Sequence, residues 1–176
     1  MPNVILYIAQ TMDGFIASEN GGVEFLDAFQ DPKQDYGYRS FLSSVGVILM
    51  GSASFELVKT FGDWEYPNNR SIVFTKQSLQ ADEINKIQFT NADPADVVSK
   101  LKETETKNIW LMGGAKLLQS FLRKKLVDKM VITTVPVLLG KGTPLFIATT
   151  KKTQPWKLET LKKYPNGVVQ AIYSKV

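Results

Sequence analysis

Residues 108–123 read NIWLMGGAKLLQSFLR, and no other stretch constrains the fold as much. Residues 109–112 form an apolar run too short for a helix, while Leu117, Leu118, Phe121 and Leu122 recur at helical spacing just beyond it. The expectation is strand, Gly113-Gly114, helix. Neither glycine carries a Cβ, so the backbone can turn sharply there and another group can come close. The first N–H groups of the helix have no partner within it and point outward at the positive end of the helix dipole. That arrangement suits a phosphate without any charged side chain. On its own, a tight turn packing helix on sheet explains the pair equally well.

Composition narrows the chemistry. The 176 residues include no cysteine and no histidine. Thiolate nucleophiles, disulfides, zinc-thiolate sites, imidazole ligands and the commonest general base are thereby excluded, and no metal site is expected. Carboxylates, tyrosine, lysine, hydroxyls, water or a cofactor must carry any reaction. The net charge of +4 is uneven: residues 1–88 hold 6 Lys/Arg against 11 Asp/Glu, and residues 89–176 hold 15 against 6. The basic half contains the glycine pair. No nucleic-acid motif accompanies it, so an anionic small ligand is expected and a nucleic-acid partner is not. The apolar run at 4–9 is too short for a signal peptide and nothing approaches a membrane span, which predicts a cytoplasmic protein without a membrane partner.

In chain order, residues 4–9 read as a strand buried on both faces, followed by an Asp13-Gly14 turn. Residues 23–34 read as a loop and 36–44 as a helix weakened by Gly37. A second buried strand, 45–50, runs into Gly51, with a helix expected near Ser52 as N-cap. A strand follows at 71–75, then a helix opened by Asp93-Pro94 with Val97, Val98 and Leu101 on one face. Residues 129–139 are long and β-rich, and the tail, 156–161 and 168–174 around Pro165-Asn166-Gly167, reads as an antiparallel hairpin. The expectation is one α/β domain over residues 1–176, three-layered αβα, with a mixed, mainly parallel central sheet and a C-terminal antiparallel hairpin. At this length such a domain buries roughly 70% of the surface of its unfolded chain.

Five stretches then fall into one pattern: AQTMDGFIA (9–17), LMGSASFE (49–56), IVFTK (72–76), LMGGA (111–115) and PVLLGKG (136–142). In this order they resemble the dihydrofolate-reductase-like superfamily. The resemblance is closer to the branch typified by the C-terminal reductase domain of the bifunctional riboflavin-biosynthesis deaminase-reductase. It implies an NADPH-dependent reductase, with NADH as the other possible cofactor, similar to the 5-amino-6-(5-phosphoribosylamino)uracil reductase. In similar proteins the position of Ala9 contacts the nicotinamide carboxamide, and that of Ile16 covers the ring. The positions of Gly51, Ser52 and Ser54 meet the cofactor phosphates, Phe74, Thr75 and Lys76 flank the adenosine half, and Met112, Gly113, Gly114, Ala115, Lys116 and Leu117 bind the pyrophosphate. Related domains commonly dimerise, so a homodimer is expected.

The departures are equally specific. Ser52 stands where the superfamily often carries an arginine for the 2′-phosphate. Phe15 and Met112 stand where riboflavin-pathway reductases commonly carry lysine and glutamate. Asp35, 16 residues before Gly51, holds the register of the pocket carboxylate of the dihydrofolate-reducing branch, and Asp13 lies beside the expected nicotinamide. These two are the candidate proton donors, although a solvated acid and an Asp-Gly turn explain them as well. Tyr38 and Trp64, with Phe15, are the candidate walls of a pocket for a flat heterocycle. Two readings stay open: a reductase of a small planar heterocyclic or carbonyl compound, and a dinucleotide-binding module that has lost turnover.

Overall fold

The computed structural model describes residues 1–147 and 153–176. Ten strands and four α-helices follow in the order β1 (Val4–Thr11), β2 (Phe15–Ala17), α1 (Tyr38–Ser43), β3 (Val45–Gly51), α2 (Ser52–Lys59), β4 (Arg70–Phe74), β5 (Ile87–Thr90), α3 (Pro94–Thr104), β6 (Asn108–Gly113), α4 (Ala115–Arg123), β7 (Lys129–Val135), β8 (Thr143–Pro144), β9 (Trp156–Lys163) and β10 (Val169–Lys175). Eight of them form one sheet, ordered β5-β4-β3-β6-β1-β7-β10-β9. The strands from β5 to β7 run parallel, and β10 and β9 close that side antiparallel. The five strands expected to share a sheet do so.

Alternation along the central strands separates two cores. On β3, Val47 and Leu49 face one way and Ile48 and Met50 the other; on β6, Ile109 and Leu111 oppose Trp110. The first face is covered by α3 and α4 through Val98, Leu101, Leu118, Phe121 and Leu122. The second is covered by α2 through Phe55 and Val58, with Tyr38, Phe41 and Leu42 of α1 beside them. Strands buried on both faces must read as continuous apolar runs, as residues 4–9, 45–50 and 109–112 do.

Several expectations need correction. The segment at 23–34 is not all loop: Glu24–Phe29 forms a 3-10 helix. The helix expected at 36–44 shortens to Tyr38–Ser43 because Tyr36 and Gly37 both take positive φ, 53° and 82°. Ser52 does not cap α2; Gly51 holds the N-cap position and Ser52 is the first helical residue. The strand expected at 129–139 ends at Val135, before Pro136, which has no N–H for the ladder. β5 at the sheet edge and the small β2–β8 ribbon were not expected. Both are very short and carry no clear alternation, leaving little periodic signal.

Candidate active site

Parallel strands all end on one side of the sheet, and there the two glycine junctions meet. A Cβ built on Gly51 would lie 3.8 Å from both the Gly113 carbonyl oxygen and the Gly114 nitrogen, and 3.9 Å from Leu117 Cβ. A Cβ on Gly114 would lie 3.6 Å from Ser54 Oγ. Gly113 takes a φ of 117°, open to glycine and rarely to other residues, and the Gly113–Gly114 peptide is cis. The register between β3 and β6 shifts between Leu49 and Met50, and Met50 then pairs with Gly113.

The starts of α2 and α4 differ from that of α3. Asp93 caps α3, accepting a hydrogen bond from the Ala95 nitrogen at 2.8 Å. The caps of α2 and α4 are Gly51 and Gly114, with no side-chain cap and no acid in either first turn. Their first N–H groups are left for an external acceptor. Two such starts lying side by side, with Ser54 next to Gly114, offer the donor chemistry that a pyrophosphate needs.

The remaining residues expected around a dinucleotide distribute along the same edge. Phe74 ends β4 and packs edge-on to Phe121, with ring centroids 6.0 Å apart. Thr75 continues the β4 line, its nitrogen donating to the Thr90 carbonyl at 2.9 Å, and its hydroxyl accepts from the Gln77 nitrogen. Lys76 is exposed just beyond, and Lys116 is exposed on α4. Ala115 is buried, Leu117 packs on the first core and Met112 on the second. Ile16 lies on β2, partly buried against the first core.

On the second face a cleft of about 820 Å³ opens beside β1. Ala9 is the expected nicotinamide contact that also lines this cleft, together with Tyr38 and Asp35. Its floor is aromatic. Tyr7 stacks on Phe41 at 4.2 Å, Trp110 meets Tyr66 edge-on at 5.5 Å, and the Trp110 indole nitrogen donates to the Tyr7 carbonyl at 3.1 Å. Burial raises the phenol pKa of Tyr7 to about 12, against a lowering contribution from Gln170, and burial raises Tyr38 and Tyr66 as well. These hydroxyls stay protonated at neutral pH.

Tyr36 builds the outer wall. Its carbonyl accepts from the Tyr7 hydroxyl and from Gln170 Nε2, each at 3.0 Å. Its hydroxyl donates to the Phe29 carbonyl at 2.7 Å and accepts from Asn166 Nδ2 at 2.6 Å. One residue therefore ties the 3-10 helix, β1 and the terminal hairpin together, and these four bonds hold its unfavourable φ of 53°. Gln170, buried, also donates to Thr133 Oγ1 at 3.0 Å. Tyr7, Tyr36, Tyr66, Trp110 and Thr133 were not among the expected site residues. Tyr7 and Trp110 sit inside apolar strands, where sequence alone reads them as core.

The candidate acids are both occupied. The carboxylate of Asp35 accepts from the Arg39 and Gly37 nitrogens, each at 3.0 Å, and these bonds lower its pKa. Asp13 accepts from the Thr11 hydroxyl at 2.6 Å and from the Leu139 and Gly140 nitrogens, which lowers its pKa in turn. Both are held ionised at neutral pH, a state that accepts hydrogen bonds and gives no proton. Trp64 and Phe15 do not line the cleft. Trp64 packs behind it on Phe55 and Tyr66, and Phe15 sits on the β2–β8 ribbon opposite Pro144.

The family model of the RibD C-terminal domain matches residues 65–170. The chain belongs to the RibD C-terminal domain family. It is 33% identical over 165 residues to the uncharacterized protein YwjB of Bacillus subtilis, covering 93% of each chain. Among solved structures, it superposes with a TM-score of 0.89 and 26% identity on a provisionally assigned riboflavin biosynthesis protein of Shewanella sp. PV-4, covering 100% of this chain and 99% of that one. The diaminohydroxyphosphoribosylaminopyrimidine deaminase/5-amino-6-(5-phosphoribosylamino)uracil reductase of Thermotoga maritima shares the fold, with a TM-score of 0.73 at 16% identity. The match covers 99% of this chain and 57% of that one. The RibD-like fold therefore holds for this chain. No helix among the described residues is long and apolar enough to cross a membrane.

Proposed function

We propose that this RibD-like protein, acting as one reductase domain over residues 1–176, uses NADPH to reduce a small planar heterocyclic or carbonyl compound held in the cleft beside Ala9. The observation that carries the reading is the convergence of two uncapped helix starts at Gly51 and Gly114, on the strand-end edge from which Ala9 leads into the aromatic cleft. Bound there, a dihydronicotinamide supplies the hydride. The chain's own work is positional. The first N–H groups of α2 and α4 and Ser54 hold the pyrophosphate, β1 supports the nicotinamide at Ala9, and the floor formed by Tyr7, Tyr38 and Trp110 stacks the substrate ring.

Gly114→Val tests the assignment. Gly114 has a φ of −74°, which valine tolerates, and a Cβ there meets Ser54 Oγ at an ordinary 3.6 Å, so the fold is kept. The valine methyl groups instead occupy the cradle. Fluorescence titration should show NADPH binding in the wild type and none in the variant, with unchanged circular dichroism. Normal binding by the variant would overturn the reading.

Phe15 and Met112, apolar where riboflavin-pathway reductases commonly carry charge, favour a second reading as a dinucleotide-binding module without turnover. A cofactor-oxidation screen over planar heterocycles separates the two. On either reading, 5-amino-6-(5-phosphoribosylamino)uracil itself should be turned over poorly. For assembly we propose a homodimer: β9 is one of the sheet's two edge strands, with Leu158 and Leu161 49% and 62% exposed, a surface that a second copy would cover.

A further inference from the structure

Four acids line the cleft, Asp27, Asp31, Asp35 and Glu65, and no lysine or arginine does so among the described residues. Two of the acids are engaged by backbone N–H groups: the Arg39 main-chain nitrogen donates to Asp35 at 3.0 Å and the Lys33 main-chain nitrogen to Asp31 at 2.8 Å. This local charge opposes the molecule's net charge of +4, and all four acids come from the acidic half of the chain, residues 1–88. Asp27, Asp31 and Glu65 are exposed and Asp35 half-buried, so a phosphate-bearing substrate would meet four like charges, softened by solvent, and no lysine or arginine among the described lining residues. The aromatic walls instead favour a flat ring, and aromatic faces attract cations.

Proton supply points the same way. Asp35 is held ionised, the buried phenols of Tyr7, Tyr38 and Tyr66 keep their protons, and the chain contains no histidine or cysteine. Reduction of a neutral C=N or C=O bond needs one hydride and one proton. Reduction of a C=N⁺ bond needs only the hydride.

We propose that the cleft selects a phosphate-free, positively charged planar heterocycle, and that the group reduced is its own C=N⁺ bond. The proposal rests on the reductase reading and names its substrate class. The C=N⁺ carbon accepts hydride from a dihydronicotinamide, forming a C–H bond. The π pair becomes a lone pair on nitrogen, and the reductant leaves in its oxidised, positively charged form. Charge and electrons balance with no proton drawn from the protein. The carboxylates hold the cation in place before transfer and have less to hold afterwards, which favours release of the neutral amine.

The test uses three probes with one ring system: 1-methylquinolinium (cation), 2-methylquinoline (neutral) and quinoline-2-carboxylate (anion). Each is titrated calorimetrically into the protein at low ionic strength, with NADPH titrated separately. The cation should bind about 10-fold or more tightly than its neutral counterpart, and the anion should not bind measurably. In the double variant Asp31→Asn, Glu65→Gln, which keeps both hydrogen-bond acceptors, that preference should fall at least several-fold while NADPH affinity and the thermal transition stay unchanged. Anion binding that matches the cation, a preference that survives in the variant, or binding of none of the three probes overturns the proposal. Loss of NADPH binding in the wild type would instead strike the reductase reading, since probe selectivity is measured without the cofactor.

Discussion

Lys76 shows how much can rest on one side chain. With Ser52 at the position that often carries arginine, a preference for the 2′-phosphate of NADPH requires another cation. Lys76 stands exposed just past β4, and none of the ion pairs among the described residues uses it. Lysine serves as a point charge without the two-pronged geometry of arginine. Solvent screens an exposed pair, so the effect should fall at the weak end of charge-assisted bonds. Lys76→Ala is expected to weaken NADPH by about 10-fold at low ionic strength, less as salt rises, and to leave NADH unchanged. Equal losses for the two cofactors, or none, would remove Lys76 from the site. The candidate proton donors teach a different lesson. Spacing alone could bring Asp35 to a cleft and Asp13 to a turn, and it did. The backbone N–H groups that engage them belong partly to distant segments, as Leu139 and Gly140 do for Asp13, and no local signal announces such partners.

Among the elements, those with strong periodicity or glycine punctuation were legible: β1, β3, β6, α3, α4 and the terminal hairpin all form close to their expected bounds. The 3-10 helix, β5 and the β2–β8 ribbon owe their existence to what they pack or pair with. Asp13 gives the ribbon region a clear test. Its carboxylate holds the Leu139 and Gly140 nitrogens at 2.7–3.1 Å, and Thr11 Oγ1 accepts from the Phe15 nitrogen at 3.0 Å, so one short network joins the loop after β1 to the loop after β7. Asp13→Ala should speed amide hydrogen exchange at Leu139 and Gly140 while leaving β3 and β6, at the sheet centre, protected. Unchanged protection at 139–140 would show that those amides are held by something else.

At the scale of the whole molecule, pH dependence follows from which groups fold with shifted affinities for protons. Asp13, Asp35 and Asp93 have lowered pKa values, through the Thr11 hydroxyl, the Arg39 nitrogen and the Lys124 ammonium first in each case. A lowered carboxyl pKa contributes stability above its unfolded value, about 3.9, and loses it as pH falls through the folded value. Tyr7 shifts the other way, to about 12, and its contribution is present below the unfolded value of about 10 and is lost as pH rises towards 12. Without histidine, no side chain normally titrates between about pH 6 and 8. The melting temperature should therefore be flat from about pH 5 to 9, falling below about 4 and above about 10. A step near pH 6 to 7 in thermal melts would contradict this account.

The sequence by itself determined the layered αβα plan and the two strand-glycine-helix junctions. Both are local: a run of apolar residues selects a doubly buried strand, and a glycine at its end allows the turn into a helix. The tertiary structure alone decided that the junctions face each other, because β3 and β6 are adjacent in the sheet though more than fifty residues apart in the chain. It alone decided the acidic, aromatic cleft too. Tyr7, Asp35, Tyr66 and Trp110 reach it from four separate segments, and their common surroundings are a property of strand order, which no spacing along the chain encodes.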